Sequence, residues 1–178
     1  NAKGGAIYNA SGSTMTIYTG NGTTTISGNT ATGDGAEGGA IYNAGTMNIT
    51  SGGSYLTIKN NTAGATSANQ TSSGIATGAN SSTTLNAGNT IFYLDDKITS
   101  DDTTSALTLR TANTSSGFVY LNNDMTGYTG SVELAGGRIY LGESTSSGVQ
   151  SADNSSAKFF NATSTSVTAG TIYDTQNG

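Results

Sequence analysis

Four aspartates fall in one short stretch, Asp95, Asp96, Asp101 and Asp102, on either side of Lys97 and Ile98. Carboxyl pairs are the machinery of glycoside cleavage, held about 5 to 9.5 Å apart across the sugar. Here they come as adjacent pairs, the pattern of a solvated acidic loop. Oxygen ligands of this kind would also suit a weak Ca²⁺ site. Little else supplies catalytic chemistry. The chain has no His and no Cys, so the commonest general base and the thiol nucleophile are missing. A Ser-His-Asp triad is impossible within it. No catalytic residue, metal site or cofactor is expected, and the chain reads as non-enzymatic.

The aromatics offer binding instead. Tyr8 and Tyr42 hold the same place in two copies of a repeat and predict a short exposed ladder. A tyrosine ring joins a flat apolar face to a polar tip, which suits stacking on a sugar or a partner protein. The plainer reading is a cross-strand pair that steadies the sheet. Tyr8 and Tyr42 are the candidate ligand-binding residues. Thr23-x-Thr25 raises a different chemistry, a flat hydroxyl array matched to ice. The next copy reads Tyr55-x-Thr57, so the array breaks. Gly33-Asp34-Gly35-Ala36-Glu37-Gly38-Gly39 has the glycines of a calcium-binding repeat in the wrong order and reads as a flexible corner loop. No phosphate-loop motif stands anywhere.

These residues are positioned by the repeat itself. Gly4-Gly5-Ala6-Ile7-Tyr8-Asn9 returns as Gly38-Gly39-Ala40-Ile41-Tyr42-Asn43, 34 residues later. Met15-Thr16-Ile17 matches Met47-Asn48-Ile49, and Ile26 to Ala31 matches Ile58 to Ala63. In a worn third copy Gly74-Ile75-Ala76 takes the place of Ala40-Ile41-Tyr42, Leu85 that of Ile49 and Leu94 that of Ile58. A fixed period of this length signals stacked units that bury a core only together. Within a copy, apolar residues alternate with period two, the pattern of strands. Ile7, Met15, Ile17, Thr24 and Ile26 would face inward; Ala6, Tyr8, Thr16, Tyr18, Thr23 and Thr25 outward. Ser11-Gly12-Ser13 and Gly20-Asn21-Gly22 mark turns. Three strands and three corners make one coil, and the next coil pairs above it in parallel. Ile7, Ile41 and Ile75 should form a ladder, and Asn9 should stack on Asn43 through its amide. Residues 28–37 and 62–73 read as loops thrown from one corner.

Beyond Ile98 the repeat fades but short alternating runs continue, among them Phe118 to Leu121, Val132 to Leu134, Arg138 to Leu141 and Thr171 to Tyr173. Glu143 to Ser156 is polar and reads as a surface loop or a loosened coil. Composition agrees with a β surface rich in Thr, Ser and Asn. Net charge is −5 and the six Lys and Arg are scattered, which argues against nucleic-acid binding. No apolar run approaches the roughly 20 residues of a membrane-spanning helix, so direct membrane insertion is not expected. The chain opens on Asn1 inside a repeat and is read as a segment of a longer protein.

The paired motifs, Gly-Gly-Ala-Ile and Ile-x-x-Asn (Ile26 to Asn29, Ile58 to Asn61), resemble the repeats of polymorphic outer-membrane proteins and related type V autotransporter passengers. In that family the second motif usually begins with Phe. Thr126-Gly127-Tyr128-Thr129-Gly130 followed by Gly136-Gly137-Arg138-Ile139-Tyr140-Leu141-Gly142 looks like another passenger repeat. The resemblance covers most of residues 4–142. It implies a right-handed parallel β-helix displayed outside a Gram-negative cell, commonly an adhesin.

The expectation is therefore an all-β chain, a right-handed parallel β-helix of three-strand coils. It forms one segment over residues 1–178, regular in 1–98 and less regular in 99–178. Its role is that of a surface-displayed adhesin-type segment on the bacterial cell surface. Its partners would be a host-cell glycan or protein, or other copies of itself. A polysaccharide-acting enzyme, an ice-binding protein and a structural spacer are the alternatives.

Overall fold

A computed structural model describes residues 1–53, 55–111, 117–142 and 157–174. The polar stretch 143–156 lies outside the described residues. The chain is all-β, and no α-helix occurs among the described residues. In chain order the strands are β1 (Ile7–Asn9), β2 (Thr14–Thr19), β3 (Thr24–Ser27) and β4 (Thr30–Thr32), then β5 (Ile41–Asn43), β6 (Thr46–Ser51), β7 (Tyr55–Lys59) and β8 (Thr62–Gly64). There follow β9 (Thr71–Ser72), β10 (Ile75–Thr77), β11 (Ser82–Asn86), β12 (Ile91–Leu94), β13 (Ile98–Ser100), β14 (Ala106–Arg110) and β15 (Phe118–Leu121). Two long strands end the series, β16 (Ser131–Leu141) and β17 (Ser164–Asp174).

One sheet has four parallel strands in the order β1-β5-β10-β13. A second runs β2-β6-β11-β14-β16-β15-β12-β7-β3, with β17 paired to β16, and every pairing in it is parallel. Its two arms meet at β16, whose first part pairs β14 and whose last part pairs β15. The sequence reads that stretch as two runs broken by Gly136-Gly137; the backbone instead bends through both glycines at positive φ and continues as one strand. Both arms and the four-stranded sheet contribute to a single hydrophobic cluster, including Ile41, Met47, Ile58, Phe92 and Leu109.

The register follows the repeat. Ile7, Ile41, Ile75 and Ile98 are successive register partners, one rung further than the repeat predicts. Met15 pairs Met47, Ile17 pairs Ile49 and Ile26 pairs Ile58. A one-residue slip would turn every apolar side chain outward, so burial holds this register. The glycine pair of the repeat has its own reason. An added Cβ on Gly5 would meet the Gly39 carbonyl oxygen at 2.1 Å, and one on Gly39 would meet backbone of Thr62 and Ser73 at 2.5 Å. The stacked backbones pass too close for any side chain there.

The segments 28–37 and 62–73 are not plain loops. β4 and β8 pair in parallel and β9 returns antiparallel on β8, making a small third sheet. The Asn29 Nδ2 group donates to Asn61 Oδ1 at 2.9 Å, and the hydroxyls of Thr30 and Thr62 lie 3.2 Å apart. The stacking thus continues past the corner through polar side chains, where an apolar period gives no sign of it.

Candidate functional site

Lys3 and Glu37 occupy the same position in successive repeats, just before each glycine pair. Parallel stacking brings them together as a β-bridge, and the Lys3 ammonium donates to the Glu37 carboxylate. It also donates to Tyr42 Oη at 3.1 Å and to Asp101 Oδ2 at 3.3 Å. Tyr42 Oη donates to Asp101 Oδ2 at 2.7 Å. Tyr42 reaches an aspartate so far along the chain because its register partner on the next rung is Ala76, whose small side chain leaves room. Gly78 assists: a Cβ there would stand 2.8 Å from Tyr42 Oη.

The four side chains shift one another's titration. Burial works against the Lys3 ammonium, but hydrogen bonds to Glu37 and Tyr42 and the nearby carboxylates outweigh it and hold its pKa above the usual lysine range. Burial pushes the Glu37 carboxyl up, and the neighbouring Asp101 charge adds to this against the opposing pull of Lys3. Asp101 goes the other way: burial opposes ionisation, yet donors on Tyr42 and Lys3 and the Lys3 charge bring its pKa down. Tyr42 is raised by burial and by Asp101.

Beside this cluster lies an open groove of about 470 Å³. Glu37 and Asp101 line it, with Ser72 from the third sheet, Lys97 and Thr99 around β13, and Asp124. Asp124 is bound by Lys158 Nζ at 2.9 Å, a second charged pair separated by 34 residues. Hydrogen bonds from Thr126 and Lys158 hold the Asp124 carboxyl far below the usual carboxylate range. The spacing of 34 links Lys3 to Glu37 and Asp124 to Lys158 alike, so opposite charges one repeat apart were a legible signal that motif reading passed over.

The structure separates the four aspartates of the acidic stretch. Asp96 is buried; its Oδ2 accepts from the Asn61 backbone N–H at 2.9 Å and from Asn61 Nδ2 at 2.8 Å. Asp95 accepts from Asn122 Nδ2 at 2.7 Å. Asp102 caps a turn through Thr104. Only Asp101 faces the groove. Among the described residues no group of three or more His, Cys, Asp or Glu is placed to hold a metal ion.

Tyr8 and Tyr42 do stack, with ring centroids 5.7 Å apart and planes within 5°. They are not equally open: Tyr8 is 56% exposed and Tyr42 only 6%. Lys3 Nζ lies 4.3 Å from the Tyr42 ring centroid and helps to cover it. The expected exposed ladder is thus one open ring on a buried one. A longer ladder, not anticipated from the fading repeat, stands in the large sheet, on β12, β15 and β16. Tyr93, Tyr120 and Tyr140 stack with centroids 5.2 and 5.0 Å apart. Rings stacked face to face present mainly edges and hydroxyls outward, so this ladder steadies the sheet.

Among the described residues no helix is long and apolar enough to cross a membrane. Compared with known proteins, the chain matches no family model, no curated protein and no solved structure.

Proposed function

We propose that this chain is a segment of a right-handed parallel β-helix of three-strand coils, similar to autotransporter passengers, that serves as a non-catalytic adhesive module at a bacterial cell surface. The observation that carries this reading is the groove of about 470 Å³ beside the Lys3–Glu37–Tyr42–Asp101 cluster. It is polar, open and laid across several stacked strands. That is the setting in which a rigid scaffold offers side chains to an extended ligand. The third sheet walls it, and in-register pairing keeps its residues at fixed spacing. A glycan or a protein segment on a host cell is the partner class. The acidic stretch supports a non-catalytic role, because its members serve separate structural tasks.

Beads coated with the chain test this reading. Attachment to epithelial cells that is reduced by soluble glycans is the expected result. Beads that neither attach nor clump at high coating density would leave the segment as a spacer.

Self-association is a second reading with its own observation. Strands β1, β2 and β3 each have one neighbour, and Ile7, Met15, Ile17 and Ile26 on that rung are only partly buried, whereas their partners Ile41, Met47, Ile49 and Ile58 are fully buried. An edge with apolar side chains is a template for another strand, whether of a second copy or of a coil that precedes this rung in a longer chain. Bead clumping abolished by Ile17→Lys would favour it.

A further inference from the structure

We infer that Asn21 is a site of spontaneous covalent modification, where the corner Gly20-Asn21-Gly22 converts to isoaspartate and loosens the first rung from the second.

The reaction needs only water and a backbone nitrogen free to attack. The nitrogen of Gly22 bonds to the side-chain Cγ of Asn21. The Cγ–Nδ2 bond then breaks, and ammonia leaves with the proton that the backbone nitrogen gives up. Water opens the resulting cyclic imide. Where it adds to the main-chain carbonyl carbon, the bond from that carbon to nitrogen breaks. The chain then runs through Cγ, one methylene longer, and the former main-chain carbonyl becomes a carboxylate. Glycine in the following position favours the attack, because it has no side chain to obstruct it and a wide range of backbone angles.

The structure singles out this asparagine. The corner joins β2 to β3, and Gly20, Asn21 and Gly22 are all exposed. The Gly22 N–H makes no hydrogen bond among the described residues. A Cβ on Gly22 would meet nothing within 4 Å, so the approach is open. Other asparagines are followed by a nitrogen already engaged. After Asn43, the Ala44 N–H donates to the Asn9 carbonyl at 2.8 Å, and after Asn61 the Thr62 N–H donates to the Asn29 carbonyl at 3.0 Å. After Asn80, the Ser81 N–H donates to the Gly78 carbonyl at 3.3 Å, and after Asn86 the Ala87 N–H donates to the Arg110 carbonyl at 2.8 Å. The fold must open locally before any of these can react. The side-chain amides of Asn43 and Asn61 are held by hydrogen bonds as well.

The product matters because this corner rests on the next one. The Gly52 N–H donates to the Thr19 carbonyl at 2.8 Å. A Cβ on Gly53 would stand 2.3 Å from the Gly20 carbonyl oxygen and 2.7 Å from the Asn21 carbonyl carbon. Backbone thus lies against backbone, with no space for more chain. An inserted methylene lengthens the chain at this contact, and a carboxylate appears where there was a neutral amide. Ile17 and Ile26, on the strands that flank the corner, then lose their fit on Ile49 and Ile58. Loosening of the first rung accumulates with age and does not reverse unaided.

Incubation of the folded chain at body temperature and mildly alkaline pH tests the proposal. Peptide mapping by mass spectrometry reads conversion at each asparagine, and labelling by an isoaspartyl methyltransferase identifies the isoaspartate. Asn21 should convert first, mostly to isoaspartate, while Asn80 in the same sample keeps its amide. Gly22→Ala should slow conversion at Asn21 by about tenfold or more; its methyl enters open space at an ordinary φ, so the variant folds. The converted chain should melt below Asn21→Asp, which carries the new charge without the extra methylene. Persistence of the Asn21 amide, conversion of Asn80 at the same rate, or no slowing by Gly22→Ala overturns the assignment. A converted chain that melts together with Asn21→Asp overturns the loosening of the rung.

Discussion

At the scale of single residues, the charged cluster makes opposite pH predictions for two carboxyls a few ångströms apart. The Asp101 pKa is lowered on folding, so the folded form releases its proton first as pH rises. Its contribution is present above its unfolded pKa of about 3.9 and is lost as pH falls through the folded value. The Glu37 pKa is raised, so the folded form keeps its proton longer, and stability falls as pH rises from about 4.3 toward the folded value. Asp101→Asn should therefore lower the urea midpoint at pH 7, and the gap to the wild type should narrow as pH falls below the unfolded aspartate value and close only below the folded one. Glu37→Gln should gain on the wild type as pH rises through the carboxylate range. Both side chains are about a third exposed, so solvent screening limits each effect to about 0.5–1 kcal/mol. Parallel pH profiles for the two variants would contradict the assignment of directions.

At the scale of elements, polar side chains hold the rungs where the apolar pattern stops. Asn43 is fully buried between β1 and β10. Its Oδ1 accepts from Asn9 Nδ2 at 2.8 Å and from Gly45 N–H at 3.0 Å. Its Nδ2 donates to the Ser82 carbonyl at 3.0 Å and to Thr83 Oγ1 at 2.8 Å. Removing it strands several buried groups at once, so Asn43→Ala should cost about 3 kcal/mol. Asn9 sits on the first rung and only donates, to Asn43, the Thr46 carbonyl and, more weakly, the Ser13 carbonyl. Asn9→Ala should cost about 1 kcal/mol. Denaturant melts of the two variants compare them directly, and equal losses would mean that the ladder is not what Asn43 contributes. The Asn9–Asn43 stack was legible in the repeat. Its end was not: Thr77 follows in register, so Asn43 turns to Ser82 and Thr83 instead.

At the scale of the whole molecule, each rung touches chiefly its neighbours, so stability should be close to a sum of rungs and their interfaces. Deleting residues 1–34 removes β1 to β4 and leaves the remaining strands paired. The shortened chain should keep its β-sheet circular dichroism per residue while its melting temperature falls, because Ile41, Met47, Ile49 and Ile58 lose the rung that covers them. Collapse of all β signal in the shortened chain would show that the rungs fold as one indivisible unit.

The residues themselves determined which positions stack. Period two set which side chains face inward, and the spacing of 34 set Ile7 on Ile41, Tyr8 on Tyr42 and Asn9 on Asn43. These relations are local and periodic, so a string of letters carries them. The tertiary structure alone decided the site. Tyr42 meets Asp101 across 59 residues because Ala76 leaves a gap between them. Asp96 is drawn into an asparagine stack while Asp101, five residues on, faces the groove. Lys3 serves both Glu37 and Asp101, and Lys158 serves Asp124, pairings that the folded chain alone brings about. Such pairings depend on side-chain size and free space between rungs, which no period in the sequence encodes.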